Sequence, residues 1–324
     1  MKLKILILGC GSIGTRHAKN LKSIGVKDIV LCDKDRFRLK SLSKIIETNF
    51  VYDDYKQAVK ENKDLSAAVI CTPTSYHTEQ ALYFAKNGIN LFIEKPLSHN
   101  LAKIKSLQKC IDSNKLIVMM GHSYMFESGF LKLKSLIDKK TIGQVYFATY
   151  LQGQFLPDWH PKSDYRIEYT ARKNLGGGAL LTLTSHSFYL IEWLFGKVKS
   201  VQGHIITRVG KLDVDVDDSV FLLMKTSKNI IIQSQNNFIV PIHNHKIIVE
   251  GEKGRLEYDF VEKKIEILLR NKKSKFISMN NDPNDRFVKE MKYFLFNLKN
   301  KNLDNNLNLE SGIRFLQMIK NLPI

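Results

Sequence analysis

The first thirty-three residues constrain this chain more than any other stretch. An apolar run, Lys4-Ile5-Leu6-Ile7-Leu8, meets Gly9-Cys10-Gly11-Ser12-Ile13-Gly14, and a second run, Ile29-Val30-Leu31-Cys32, ends at Asp33. The pattern predicts strand, glycine turn, helix over 12–23 and strand, the opening βαβ unit of a parallel sheet. Each glycine has its own reason. Gly9 permits the tight strand-to-helix turn, Gly11 lets a pyrophosphate approach the backbone, and Gly14 lets the helix pack closely on the strand. Ser12 and Ile13 open the helix, whose free amides and positive dipole end favour an anion. Asp33 falls at the distance, about 20 residues beyond the glycines, where an acid binds the ribose hydroxyls of a dinucleotide. Its charge repels a 2′-phosphate and favours NAD, while Arg36 and Arg38 just beyond leave NADP possible.

A chain of 324 residues is long enough for two domains. Its 44% hydrophobic and 25% charged content are those of a globular protein rather than a disordered or fibrous one. No apolar run approaches the ~18 residues of a membrane span, and no signal peptide is read, so a cytoplasmic location is expected. Cys10, Cys32, Cys71 and Cys110 follow no metal-ligand spacing; they are expected to be reduced, and no metal site is expected. The net charge of +18 raises nucleic-acid binding as a possibility. Lysines are dispersed over most of the predicted helices, however, and the densest run, Arg270 to Lys275, sits between two apolar stretches like a hairpin turn. A solvated surface is the better reading, with neither nucleic acid nor membrane as partner.

Short apolar runs alternate with helical stretches as far as Gly121, which predicts a doubly wound parallel sheet over 1–121. Its later strands are 49–52, 67–71, 90–93 and 116–120. From 122 to 324 the pattern changes to strand-like runs separated by Gly, Asn, Asp and Lys, near 145–154, 198–207, 219–225, 229–236, 246–250, 255–260 and 264–269. Helical patterns occupy 178–195, 285–299 and 309–321. The fold class is therefore α/β: a Rossmann domain followed by an α+β domain with a large, mainly antiparallel sheet, whose last helix can pack back on the first domain. The open face of that sheet is expected to join copies into a homodimer or homotetramer.

Two motifs stand at strand ends, Cys71-Thr72-Pro73 and Glu94-Lys95-Pro96, and a third, Gly176-Gly177-Gly178, leads through a helix to His186. Together with the glycine turn they resemble the Gfo/Idh/MocA oxidoreductases over the whole chain, Glu94-Lys95-Pro96 being the most specific mark. The resemblance implies a hydride transfer between a nicotinamide and the carbinol or ketone of a sugar or nucleotide sugar. It implies that Glu94 and Lys95 border the nicotinamide and that Lys95 handles the substrate hydroxyl proton, with His186 as its partner. Hydride transfer requires such a base near the carbinol oxygen. Thr72, Pro73 and His77, after the fourth strand, are expected beside the cofactor, and His17 is expected to be structural.

The chain departs from the family at Thr182, one helical turn before His186, where an aspartate is usual, and at Tyr189, where a second acid is common. Threonine can hydrogen-bond a substrate hydroxyl but is no base at neutral pH, so proton transfer falls to Lys95, His186 or a tyrosine. Trp159 and His160 with Asp164, Tyr165 and Arg166 form a proline-punctuated loop suited to a sugar ring and its hydroxyls. That loop resembles a branch of the family associated with surface-polysaccharide sugars. The competing reading is a non-catalytic NAD- and sugar-sensing regulator on the same fold, which would have no need of Lys95 and His186.

Overall fold

The computed structural model describes all residues except 1–2, 160, 162, 208, 281, 303–305 and 323–324. Two units divide it: Met1–Ser123 with Asn284–Leu316, and Tyr124–Pro283 with Gln317–Ile324.

In the first unit, β1 (Lys4–Leu8), α1 (Ser12–Ser23), β2 (Asp28–Cys32), α2 (Arg36–Ile46), β3 (Val51–Tyr52), α3 (Tyr55–Glu61), β4 (Ala67–Ile70), α4 (His77–Lys86), β5 (Asn90–Glu94), α5 (Ile104–Asn114) and β6 (Val118–Gly121) follow in order. All six strands are parallel, in the order β3-β2-β1-β4-β5-β6. The chain reverses direction across the sheet between β1 and β4, so their carboxyl ends form the crevice where open α/β sheets bind ligands. The central strands are apolar along their whole length because helices cover both faces; Ile5, Leu6, Ile7, Ala67, Ala68, Val69 and Ile70 are all fully buried.

The second unit contains α6 (Ser128–Asp138), β7 (Val145–Gly153), the short α7 (Ala179–Thr182), α8 (Thr184–Phe195) and β8 (Val198–Ile206), then β9 (Ser219–Thr226), β10 (Ile231–Asn237), β11 (Asn244–Gly251), β12 (Gly254–Asp259), β13 (Lys264–Leu269) and β14 (Lys275–Ser278). They make one eight-stranded sheet, β14-β13-β12-β11-β7-β10-β9-β8. Every pair is antiparallel except β7 with β10. Helices α6, α7 and α8 pack against one face. The strands alternate accordingly: in β9, Val220, Leu222 and Met224 are buried while Phe221, Leu223 and Lys225 are exposed. The basic run at 270–275 does turn a hairpin, between β13 and β14.

Two helices close the chain, α9 (Asp285–Asn300) and α10 (Leu309–Lys320). Leu309, Ile313 and Leu316 of α10 join Leu97, Ile93 and Met120 in the core of the first unit. Helix α9 lies beside α1, where Asn284 and Asn20 exchange side-chain hydrogen bonds.

Candidate active site

The glycine turn is shaped by what each added methyl would strike. Gly9 has φ +94°, and a Cβ there would lie 2.8 Å from the Cys71 carbonyl carbon and oxygen. At Gly14 a Cβ would lie 1.8 Å from the Gly9 carbonyl oxygen. Both residues are therefore fixed by the protein's own packing. Gly11 differs: its backbone, at φ −67° and ψ −165°, suits any residue, and the nearest atom to a Cβ would be the Arg38 Nη1 at 3.7 Å. The space in front of Gly11 is left by the protein, as a pyrophosphate requires.

Helix α1 has no side-chain cap, whereas Asp35, Asp54 and Glu127 cap α2, α3 and α6. Its first amides, including those of Ser12 and Ile13, are directed as an anion site needs. Asp33 is held by the Cys10 amide at one oxygen and the Asp35 amide, 2.8 Å, at the other. Each oxygen retains accepting capacity for a ribose hydroxyl. Arg36 pairs with Asp53 at 2.9 Å and Arg38 with Asp35 at 3.2 Å, so each arginine is engaged by an acid beside Asp33. These residues fit a dinucleotide, and NAD bound here would supply the hydride acceptor.

The end of β5 carries the rest of the first unit's chemistry. The half-buried Lys95 follows Glu94, and its peptide bond to Pro96 is cis. Burial lowers the Lys95 ammonium from 10.5 to about 8, against the pull of Glu94. Glu94 is positioned from two sides. Its Oε1 lies 2.7 Å from His17 Nε2, and its carboxyl passes so close over β6 that a Cβ on Gly121 would meet it at 3.1 Å. His17 is fully buried and packs edge-on against Phe92 and Phe287, so it acts as a support for Glu94. Behind Glu94 stands Glu290 of α9, fully buried, whose carboxyl is raised well above the ordinary range by burial and then by Glu94. His122, which follows the Glu94–Gly121 pair that ends the β5–β6 ladder, is pushed down to about 3 by burial and then by the Lys95 charge. Glu94 is thus the counter-charge of the lysine, and the same burial that lowers Lys95 lowers His122 and raises Glu290.

Other residues fall differently from expectation. His77 does not face a ligand: it is 1% exposed, and its ring nitrogens lie 2.9 Å from the Pro96 carbonyl and 2.7 Å from that of Thr72. It ties the end of β4 to the Lys95-Pro96 turn, and burial lowers its basicity. Thr72 donates to Gln80 Oε1 at 2.6 Å, and Pro73 leads into the 3₁₀ turn Thr74–Tyr76. Cys10 and Cys32 are pushed up to about 12 by burial foremost, which makes them poor nucleophiles, and all four cysteines are free thiols.

In the second unit, Gly178 with φ +104° begins α7; a Cβ there would lie 2.3 Å from Asp217 Oδ1. Asp217 instead accepts the Leu180 N–H at 2.6 Å, and burial raises its carboxyl to about 6. Thr182 at the end of α7 is 2% exposed and donates its hydroxyl hydrogen to the Gly178 carbonyl at 2.7 Å. It therefore cannot donate that hydrogen to a substrate as well. Tyr189 is 2% exposed, inside the core. Helix α8 is buried almost all round, and His186 and Trp193 are its half-buried residues.

The aromatic loop is largely engaged with itself. Arg166 grips Asp164 through Nε and Nη2 at 2.8–3.0 Å, and Asp164 caps the turn Tyr165–Ile167. Tyr165 accepts the Asp213 N–H at 3.1 Å, and half-buried Trp159 packs edge-on to Phe238 at 5.3 Å. These contacts account for Asp164, Tyr165 and Arg166 as local structure. His160 lies outside the described residues. Among those described, no group of three or more His, Cys, Asp and Glu could hold a metal ion, and no helix is long and apolar enough to cross a membrane.

A glycine turn open at Gly11, an anchored Asp33 and a lysine at the end of β5 define an NAD-dependent oxidoreductase. Residues 3–122 match the oxidoreductase family with an NAD-binding Rossmann fold, and residues 130–257 match the GFO/IDH/MocA C-terminal domain. The chain belongs to the Gfo/Idh/MocA family. It is 28% identical over 309 residues to the myo-inositol 2-dehydrogenase of Thermotoga maritima, covering 92% of this chain and 88% of that one. It is 26% identical to the NAD(+)-dependent scyllo-inositol 2-dehydrogenase of Bacillus subtilis over 207 residues, 63% of this chain and 57% of that one. In fold it is similar to levoglucosan dehydrogenase in complex with NADH and L-sorbose, with a TM-score of 0.85 at 14% identity, covering 98% of this chain and 95% of that one.

Proposed function

We propose that the protein oxidises a secondary hydroxyl of a cyclic polyol or sugar, free or as a nucleotide sugar, with NAD as hydride acceptor and Lys95 as the base. The observation that carries this reading is a half-buried lysine at the carboxyl end of β5 whose ammonium is lowered to about 8, close to the range a general base needs. The neutral Lys95 amine takes the hydroxyl proton as the carbinol C–H leaves as hydride, giving a carbonyl and a lysine ammonium. Glu94 then stabilises that ammonium, and His186 is assigned a part in holding the substrate. The Thermotoga maritima relative supports a cyclitol over an open-chain substrate. NADH formation across inositols, hexoses and nucleotide hexoses tests it. Turnover with at least one is expected, and kcat/KM for oxidation should rise with pH through about 8 as Lys95 loses its proton, then level off. NAD binding without turnover of any of them would favour the sensing regulator, and a flat profile across that range would remove Lys95 as the base.

The same reading places the protein in the cytoplasm as a homo-oligomer, joined through the sheet face opposite α6–α8. Phe147, Phe221, Leu223 and Ile231 are exposed there, with Phe147 and Ile231 in register on neighbouring strands. A patch of this kind on a monomer would be an aggregation liability. Light scattering at micromolar concentration is expected to give a dimer or tetramer that Leu223→Asp weakens; a monomeric wild type would overturn this assignment.

A further inference from the structure

Four rings form a file inside the second unit. Tyr150 of β7 is fully buried, and its hydroxyl lies 2.6 Å from His245 Nε2 of β11 and donates to Gln152 Oε1 at 3.1 Å. With its hydrogen directed to Gln152, Tyr150 accepts from His245, which fixes the imidazole as the Nε2–H tautomer. The His245 ring, 1% exposed, meets the Tyr124 ring at 5.1 Å between centroids. Phe260 and Phe130 flank Tyr124 at 5.3 and 5.7 Å. The fourth ring is His186, whose imidazole lies 4.6 Å from the Tyr124 ring at 43°.

This arrangement bears on how His186 is oriented. A working imidazole is ordinarily held by a carboxylate that fixes its rotation. One turn before His186 stands Thr182, whose hydroxyl hydrogen is committed to the Gly178 carbonyl. On the other side, a tyrosine ring held by two phenylalanines and a hydrogen-bonded histidine presents a fixed face to the imidazole. We propose that Tyr124 is a positioning residue for His186, its ring limiting the imidazole to one orientation, and that the Tyr150–His245 pair keeps Tyr124 in place. The ring acts and the hydroxyl does not: Tyr124 transfers no proton. The inference rests on the reading of His186 as a substrate-holding residue.

The test compares Tyr124→Phe, Tyr124→Leu and His186→Ala in the full-length protein, using the best substrate from the panel above. Tyr124→Phe is expected to keep kcat within about twofold, and Tyr124→Leu to lose roughly tenfold to a hundredfold, the scale of a catalytic group misplaced by about an ångström. NAD affinity should be unchanged in both. In histidine-labelled protein the His186 ring resonances should shift in Tyr124→Leu, which loses the ring current, and stay in place in Tyr124→Phe. Should Tyr124→Leu fold poorly, Tyr124→Met supplies the same comparison. Wild-type kcat in the ringless variant, or equal losses in Tyr124→Phe and Tyr124→Leu, would overturn the inference. A fully active His186→Ala would instead overturn the site reading beneath it.

Discussion

Lys95→Met is expected to lower polyol oxidation roughly a hundredfold or more, the usual scale for removing a general base, with NAD affinity nearly unchanged. Methionine keeps the unbranched stem, so what is lost is the proton acceptor. Stability should not fall, and the sign follows from the shift. The ammonium is lowered from 10.5 to about 8 in the folded protein, so the unfolded chain holds this proton more tightly. The penalty on the fold is absent above about 10.5, grows as pH falls toward 8, and is fully present below that. At neutral pH the methionine variant escapes it and should unfold no lower than wild type in a thermal melt. Steady-state rates, NAD titration and the melt together separate loss of chemistry from loss of fold. Full activity in Lys95→Met would end the role of Lys95 and leave the NAD site standing, because that site rests on the glycine turn and Asp33.

What could be read from the sequence follows the range of the interactions involved. Helix α1 spans Ser12–Ser23 as its glycine flank and apolar spacing require, and the strands of the first sheet other than the short, exposed β3 are visible as buried runs. Those signals are local. Strand β14, Lys275–Ser278, was hidden because only Phe276 and Ile277 interrupt its polar residues, and its place is set by pairing with β13. The parallel pairing of β7 with β10 joins residues some eighty apart, which no turn chemistry announces. The single helix expected over 178–195 is divided at Leu183, where the hydroxyls of Thr182 and Thr184 take the carbonyls of Gly178 and Ala179 and compete with the helical ladder. Within the site the same rule holds. Gly9, Gly11, Gly14 and Asp33 announce themselves by spacing. His77 does not, because its partners are the carbonyls of Thr72 and Pro96, and the ring around Tyr124 is assembled from residues 130, 186, 245 and 260. His122 and Glu290 share this obscurity, since a buried titratable group on a helix or strand end carries no sequence signature until its neighbours are known.

The glycine turn allows a sharper separation of cofactor binding from folding than any charged residue here. Gly14→Ala places a methyl 1.8 Å from the Gly9 carbonyl oxygen and 3.3 Å from the Cys71 Cβ, so the backbone itself has to move. Forced overpacking of that kind costs about 1–3 kcal/mol, and in a unit of this size each kcal/mol lowers the melting temperature by about 2–4 °C. Gly11→Ala meets only the tip of a flexible arginine at 3.7 Å, in backbone geometry that alanine adopts freely. Its melting temperature should stay with wild type or rise slightly, because alanine narrows the unfolded ensemble. The methyl would nevertheless occupy the space through which the pyrophosphate reaches the α1 amides. NAD affinity is therefore expected to fall roughly tenfold to a hundredfold, about 1.4–2.8 kcal/mol, with the NAD-induced thermal shift lost in parallel. Calorimetric titration and melts with and without NAD measure both quantities on each variant. A Gly11→Ala protein that binds NAD as wild type does would mean that the dinucleotide does not cross this turn, since no other function of Gly11 is visible in the packing around it.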